Sequence, residues 1–271
     1  MIEAVGTSVL LAAKAGPELP GVDDFLPPEL LFQGTPFAIN RIILIRIVAT
    51  IVLLAIMCVT AAHAKVVPGR WQGAVEWLLD FIKDNIVYQV LGKVRGERYV
   101  PMITTMFLTI LVFNLCGIIP GMNMAATATI ATPLVFALWT WVQYWIAAAR
   151  EQGLWKYLKG ELFPTGVPAP LYILVAPIQL LEIAIVRPFS LTLRLFANML
   201  AGHLLVGTCL AFSQFYLIEV SNKVMTLVGG MWLIGGLVFV CFEIFVAALQ
   251  AYVFATLSAV YISQSYPLEE D

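Results

Sequence analysis

Four side chains sit where their chemistry conflicts with their surroundings. Glu182, Arg194 and Glu243 are charged and His203 is titratable, yet each lies within a long apolar run. A charge in the hydrocarbon core costs roughly 2.5–3.5 kcal/mol on insertion scales unless it is paired or hydrated, so such groups mark ion pathways by default. A carboxylate or an imidazole can pass a proton on near neutral pH. A guanidinium keeps its proton, so Arg194 can attract a carboxylate or block proton leakage but cannot relay. The competing reading of Arg194 is a side chain snorkelling to the inner interface beside Arg187.

Helical phase sorts these groups. Asn198 and Ala201, four and seven residues after Arg194, share its face, whereas His203 at nine points to the other side. Glu243 and Gln250 are two turns apart on one face of the last helix. An acid–imidazole pair suits proton transfer, and a structural hydrogen bond between helices is the plainer alternative. Glu182 has the same two readings, a transport role or a satisfied acid at the inner interface. Arg46, close to a helix terminus, is accounted for by snorkelling.

Such groups need membrane helices to position them. Of 271 residues, 61% are hydrophobic and 12% charged, with net charge −2. A soluble domain is about 45–50% apolar and about 25% charged. The chain therefore reads as an integral membrane protein. No basic stripe is present to hold nucleic acid, and the unbroken apolar runs exclude a barrel. Ile42–Ala62, Val100–Ile119 (ended by Pro120 and Gly121) and Ala131–Ala149 each approach the ~20 residues that cross a bilayer. Trp139, Trp141 and Trp145 form an interface belt. From Trp71 to Arg98, Val75, Leu78, Leu79, Ile82 and Ile86 recur at helical spacing against Asp80, Lys83 and Asp84, which predicts an amphipathic helix on the membrane surface.

Gly153–Pro170 reads as polar and turn-rich. Leu171–Val186 is short for a full span and admits a re-entrant or half-inserted helix. Phe189–Ile218 and Val224–Ile262 run to 30 and 39 residues, ~45 and ~58 Å if straight. Both must tilt, bend or overhang, and strong tilt implies something packed alongside. The expected fold is all-α and polytopic: about five to six membrane helices plus a surface amphipathic helix, the last two long and steeply tilted. Residues 1–40, with five prolines from Pro17 to Pro36, form an extracytoplasmic arm, and 41–271 a single integral-membrane domain. Ser8–Ala13 is too short for a signal peptide's apolar region. Cys58, Cys116, Cys209 and Cys241 read as small buried hydrophobes. Basic residues, including Lys65, Arg70, Lys83, Arg98, Arg150, Lys156 and Arg187, gather on one side, which places the N-terminus outside and the C-terminus in the cytoplasm.

The run Ile185-Val-Arg-Pro-Phe-Ser-Leu-Thr-Leu-Arg194-Leu-Phe-Ala-Asn-Met-Leu-Ala-Gly-His203 resembles the signature of subunit a of the bacterial F-type ATP synthase. Phe242-Glu243 through Gln250 to Leu257 is similar to that family's final helix, and Asn114 through Pro120-Gly121 to the end of its second span. The resemblance covers roughly residues 40–265. It implies that Arg194 faces the carboxylate of a rotating c-ring and separates two aqueous half-channels. It further implies that Asn198 and Gln250 lie near that arginine, and that His203, Glu243, Glu182 and Asn114 line the proton path. The acid and imidazole of many relatives stand exchanged here as His203 and Glu243. Glu182 precedes the arginine by 12 residues, where many relatives place an acid 10 or 11 before it. Residues 171–262 would be the ring-facing channel part. Partners implied are the c-ring, b-type subunits of the peripheral stalk and membrane lipid, in the bacterial plasma membrane. No phosphate-cradling loop is present, so no direct nucleotide binding, no cofactor and no catalysis by the chain alone are expected. A proton-coupled secondary transporter is the alternative, although no inverted repeat is visible.

Overall fold

A computed structural model describes residues 16, 21, 29–31, 39–119, 127, 129–163, 168–219 and 223–267. Most of the N-terminal arm, Pro120, Gly121 and the acidic C-terminal tail fall outside these residues. The arm contributes a short antiparallel pairing of β1 (Glu29–Leu31) with β2 (Ile39–Asn40). All other regular structure among the described residues is helical.

Asn40 caps α1 (Arg41–Ala62) by accepting the backbone N–H of Ile43 at 3.0 Å, which satisfies one of the four donors a helix start leaves over. Arg46 of α1 does not simply reach for a helix end. Its guanidinium donates to Thr129, ahead of α5, and so ties the two segments together.

The amphipathic stretch is broken rather than continuous. α2 (Arg70–Ile82) passes through a π-helical turn (Lys83–Tyr88) into α3 (Gln89–Gly96), where Gly92 adopts φ 73°. That left-handed value is open to glycine and strained for a residue with a Cβ. The apolar stripe also finds a protein partner: Ile82, Ile86, Val87 and Leu91 are buried in the main core, and Phe81 meets Tyr252.

α4 (Val100–Cys116) and α5 (Ala131–Glu151) follow. Gly153, at φ 81°, separates α5 from α6 (Leu154–Leu162). The expected turn-rich loop therefore contains a helix, because Tyr157 buries its ring edge-on against Trp145. Trp141 and Trp145 pack against the core, while Trp139 is exposed in the manner of a belt residue.

The largest departure from the sequence reading concerns Leu171–Val186 and Phe189–Ile218, expected as separate segments. They are one helix, Tyr172–Ile218, 47 residues long. It comprises α7 (Tyr172–Leu181), a π-helical turn (Glu182–Val186), α8 (Arg187–Gln214) and all but the last residue of a second π-helical turn (Phe215–Glu219). Pro188 lacks the N–H that a regular helix would use and its ring crowds the preceding turn. The widened turn directly before it takes up the conflict, with the Arg187 N–H bonding to the Glu182 carbonyl. α9 (Lys223–Gln264, 42 residues) then returns antiparallel along α8. At 1.5 Å per residue the two rods reach ~70 and ~63 Å.

Arg41–Ala62, Tyr172–Ile218 and Val224–Gln264 are each long and apolar enough to cross a bilayer, and Val100–Cys116 is a shorter apolar helix. The core sits around the C-terminal half of α9. Ala251, Ala255 and Ala259, spaced four apart and fully covered, let α9 lie close to its neighbours, with Phe254 and Ile262 beside them. Lipid tails are as apolar as leucine, so close packing and interhelical hydrogen bonds hold such helices together rather than transfer from water. Thr140 on α5 and Ser258 on α9 make one such bond at 3.1 Å.

Candidate functional site

The N-terminal half of α9 contacts the protein through a single seam. Gly229, Gly236, Glu243 and Gln250 recur every seven residues and are covered, the first three against the Tyr172–Ile218 helix, whereas Met231, Ile234, Val238, Phe242 and Phe245 around them are exposed. A Cβ added at Gly229 would meet Leu217 at 2.8 Å, and one added at Gly236 would meet Cys209 at 3.4 Å. The two glycines bring the backbones together, and Glu243 is the next member of the same row. Its carboxylate packs over Gly202, where a Cβ would lie 3.0 Å from Oε1. There Oε1 meets Nδ1 of His203 at 2.8 Å. Both side chains are about nine-tenths covered, at 10% and 9% exposure.

A cavity of about 250 Å³ opens beside this pair. Asn114, Asn198, Glu243 and Gln250 supply its polar wall, and Leu195, Phe239 and Phe242 are among its apolar lining. Asn114 on α4 is held in place from two directions. It accepts from Thr127 at 2.8 Å and donates to the Ala247 carbonyl of α9 at 3.4 Å. The Gln250 side-chain nitrogen is buried without a partner among the described residues. At ~30 Å³ per water the cavity has room for several molecules, and its polar groups can bind them. Of these groups the carboxylate and the neighbouring imidazole can each take up and release a proton, and the amides offer donors and acceptors that can hold water beside them.

Arg194 does not line this cavity, although Asn198 and Ala201, one and two turns further along its own face of α8, do. It is exposed, as is Ala201. The snorkelling reading assumed a helix start near Phe189. The continuous helix places Arg194 near its centre instead, 22 residues from Tyr172 or ~33 Å. Arg194 forms no ion pair among the described residues. Glu182 lies outside the cavity too, half exposed, with its Oε1 3.7 Å from the Nε of Arg187.

Arg187 carries a correction. Its place in the sequence groups it with the inner basic residues that set orientation, yet it is buried and ion-paired to both Glu182 and Glu161. Glu161 and Thr127 were likewise not anticipated. The seven-residue recurrence of glycines with Glu243 and Gln250 was the signal available for the seam. Of the four cysteines, all free thiols, Cys116 and Cys209 are buried, but Cys58 and Cys241 are exposed on apolar helix surfaces, contrary to expectation.

The fold and site together define a polytopic helical membrane protein with a titratable pair locked between its two longest helices. A profile of the family described as ATP synthase A chain matches residues 42–263. The chain is 38% identical over 251 residues to ATP synthase subunit a of Rhodococcus erythropolis, covering 93% of this chain and 91% of that protein. It is 36% identical to the Frankia alni subunit a, covering 94% and 88%. With that of Gluconacetobacter diazotrophicus it shares 34% identity, covering 93% and 98%. The chain belongs to the ATP synthase subunit a family, whose place is the membrane sector of the F-type enzyme. That membership sets aside the secondary-transporter alternative.

Proposed function

We propose that the chain is the proton-translocating stator of an F-type ATP synthase, with two half-channels that load and unload carboxylates on a rotating c-ring. The observation that carries this reading is the position of Arg194. A permanent cation at the middle of a 47-residue apolar helix, exposed and without an ion pair among the described residues, needs a carboxylate on a neighbouring subunit to offset its cost in the membrane. A ring acid nearing Arg194 meets a charge that favours its ionised form, so its proton leaves into the inner half-channel, and Arg194 cannot carry that proton across.

The outer half-channel runs through the cavity, with His203 and Glu243 as its proton-handling groups, Asn114 lining it, and Asn198 and Gln250 where it nears Arg194. The inner half-channel leads past Glu182. The exposed apolar faces of α8 and α9, with Phe242 and Phe245, lie against the ring. b-type subunits of the peripheral stalk and lipid complete the surroundings, with the N-terminus outside and the C-terminus in the cytoplasm. The chain makes no ATP itself.

ATP-driven proton uptake into inverted membrane vesicles tests the reading. Arg194→Ala should abolish uptake while the complex still assembles. Uptake at the parental rate in that variant would overturn the proposal.

A further inference from the structure

A second buried polar cluster lies at the start of α8, away from the cavity. Arg187 is 6% exposed. Its Nη2 is 3.9 Å from Glu161 Oε1 on α6, its Nε 3.7 Å from Glu182 Oε1 on the widened turn, and its guanidinium carbon 5.4 Å from the centre of the Tyr261 ring on α9. Tyr144 on α5 donates its hydroxyl to the Ile183 carbonyl at 2.5 Å, inside that same turn. Tyr157 on α6, 2% exposed, is within electrostatic reach of both Glu161 and Arg187.

A mere brace between helices would close its ion pairs at hydrogen-bond distance and leave no donor over. This cluster does neither. Both carboxylates stand farther from the guanidinium than a direct hydrogen bond allows. The Nε and Nη1 of Arg187 and the Tyr157 hydroxyl have no hydrogen-bond partner among the described residues. One cation is shared by two acids, so one negative charge is left over for a visiting proton. Polar contacts of this width leave room for a bridging water, through which two acids can exchange a proton that a closed pair would hold.

We propose that Arg187 is a positioning residue that holds Glu161 beside Glu182, making Glu161 the second acid of the inner proton path. This rests on the proton-path reading above. A proton leaving the Glu182 carboxyl passes to bridging water and Glu161 and from there to the inner solution; in the pumping direction it runs in reverse. No other bond changes. Arg187 orients both acids and keeps its own protons. The titratable groups facing Arg187 are Glu161 and Tyr157 from α6, Glu182, Tyr144 from α5 and Tyr261 from α9.

The test is ATP-driven proton uptake by the whole complex in inverted vesicles, where the inner half-channel faces the bath, as bath pH is varied from about 6 to about 9. Glu161→Gln should slow uptake about tenfold and change its dependence on bath pH, while Glu161→Asp restores most of the rate. Arg187→Gln should reproduce the altered pH profile and Arg187→Lys largely correct it. Parental rates and profiles in Glu161→Gln would overturn the inference, whether or not Arg187→Gln assembles. If Arg194→Ala is inactive in the same assay, only the role of Glu161 and Arg187 falls; if Arg194→Ala also pumps normally, the proton-path reading falls with it.

Discussion

Nδ1 of His203 and Oε1 of Glu243 lie 2.8 Å apart across the α8–α9 interface, on a carboxylate that takes its place in a row begun by two glycines. Glu243→Gln preserves shape and one hydrogen bond but cannot take up a proton. It should lower proton transport ~10²-fold, the scale of a lost acid–base group, without lowering assembly. His203→Ala should do worse, because a buried acid without its partner costs about 3–5 kcal/mol. Combining His203→Glu with Glu243→His should recover more uptake than either substitution alone. Equal rates in the double and single variants would argue against an acid–imidazole relay.

Close approach at Gly229 makes a second prediction. Gly229→Ala places a methyl 2.8 Å from Leu217 Cγ and 3.0 Å from the Leu217 backbone nitrogen. Overpacking of this kind costs about 1–3 kcal/mol. Gly230→Ala, with nothing within 4 Å, should be neutral. Melting of the detergent-solubilised complex distinguishes them: the Gly229 variant should lose several degrees and the Gly230 variant none.

Thr140 and Ser258 join α5 to α9 at 3.1 Å. Interhelical bonds of this type average ~0.6 kcal/mol in membrane proteins. Thr140→Val and Ser258→Ala should therefore each be mild, and the double variant no worse than the harsher single one. A fully additive loss in the thermal melt would show the two hydroxyls to be independent.

Alkaline sensitivity is expected at Tyr157, whose phenol burial pushes above its ordinary range, with Glu161 adding to the effect. The sign follows from which form the fold favours. The neutral phenol is held below the unfolded value of about 10, and its contribution is lost as pH rises through the higher folded value. Tyr157→Phe removes that loss, together with a buried hydroxyl that has no hydrogen-bond partner among the described residues. The variant should stay assembled to higher pH than the parent after alkaline incubation. An unchanged alkaline midpoint would locate the sensitivity elsewhere.

Much of the architecture was legible from hydrophobic run length, since ~20 apolar residues allow little but a membrane helix. α1, α4 and α5 fall within a few residues of their expected bounds for this reason. Phase turns His203, nine steps past Arg194, away from the arginine, and the family resemblance supplies Glu243 as its counterpart on the last helix; their 2.8 Å contact is seen in the structure. What hydrophobic run length and phase do not encode is local. Arg187-Pro188 looks like the end of a helix, and only a π-helical turn lets the chain run through it. Burial of Arg187 depends on α5, α6 and α9 meeting around it, which no spacing within one segment records. Tyr157 made a helix of an expected loop for the same reason: its partner, Trp145, stands on another element.

The turn at Glu182–Val186 also alters how distance along this chain is counted. Twelve steps of ~100° would carry Glu182 ~120° around from Arg194 in a regular helix. A turn closed by i→i+5 bonds absorbs about one residue more. Eleven effective steps return the acid to within ~20° of the arginine's azimuth, ~17 Å along the axis. The two opposite charges therefore lie on nearly one meridian of the same rod. A spacing that looks irregular in the sequence becomes alignment in three dimensions, and the residue swallowed between them keeps acid and cation in line.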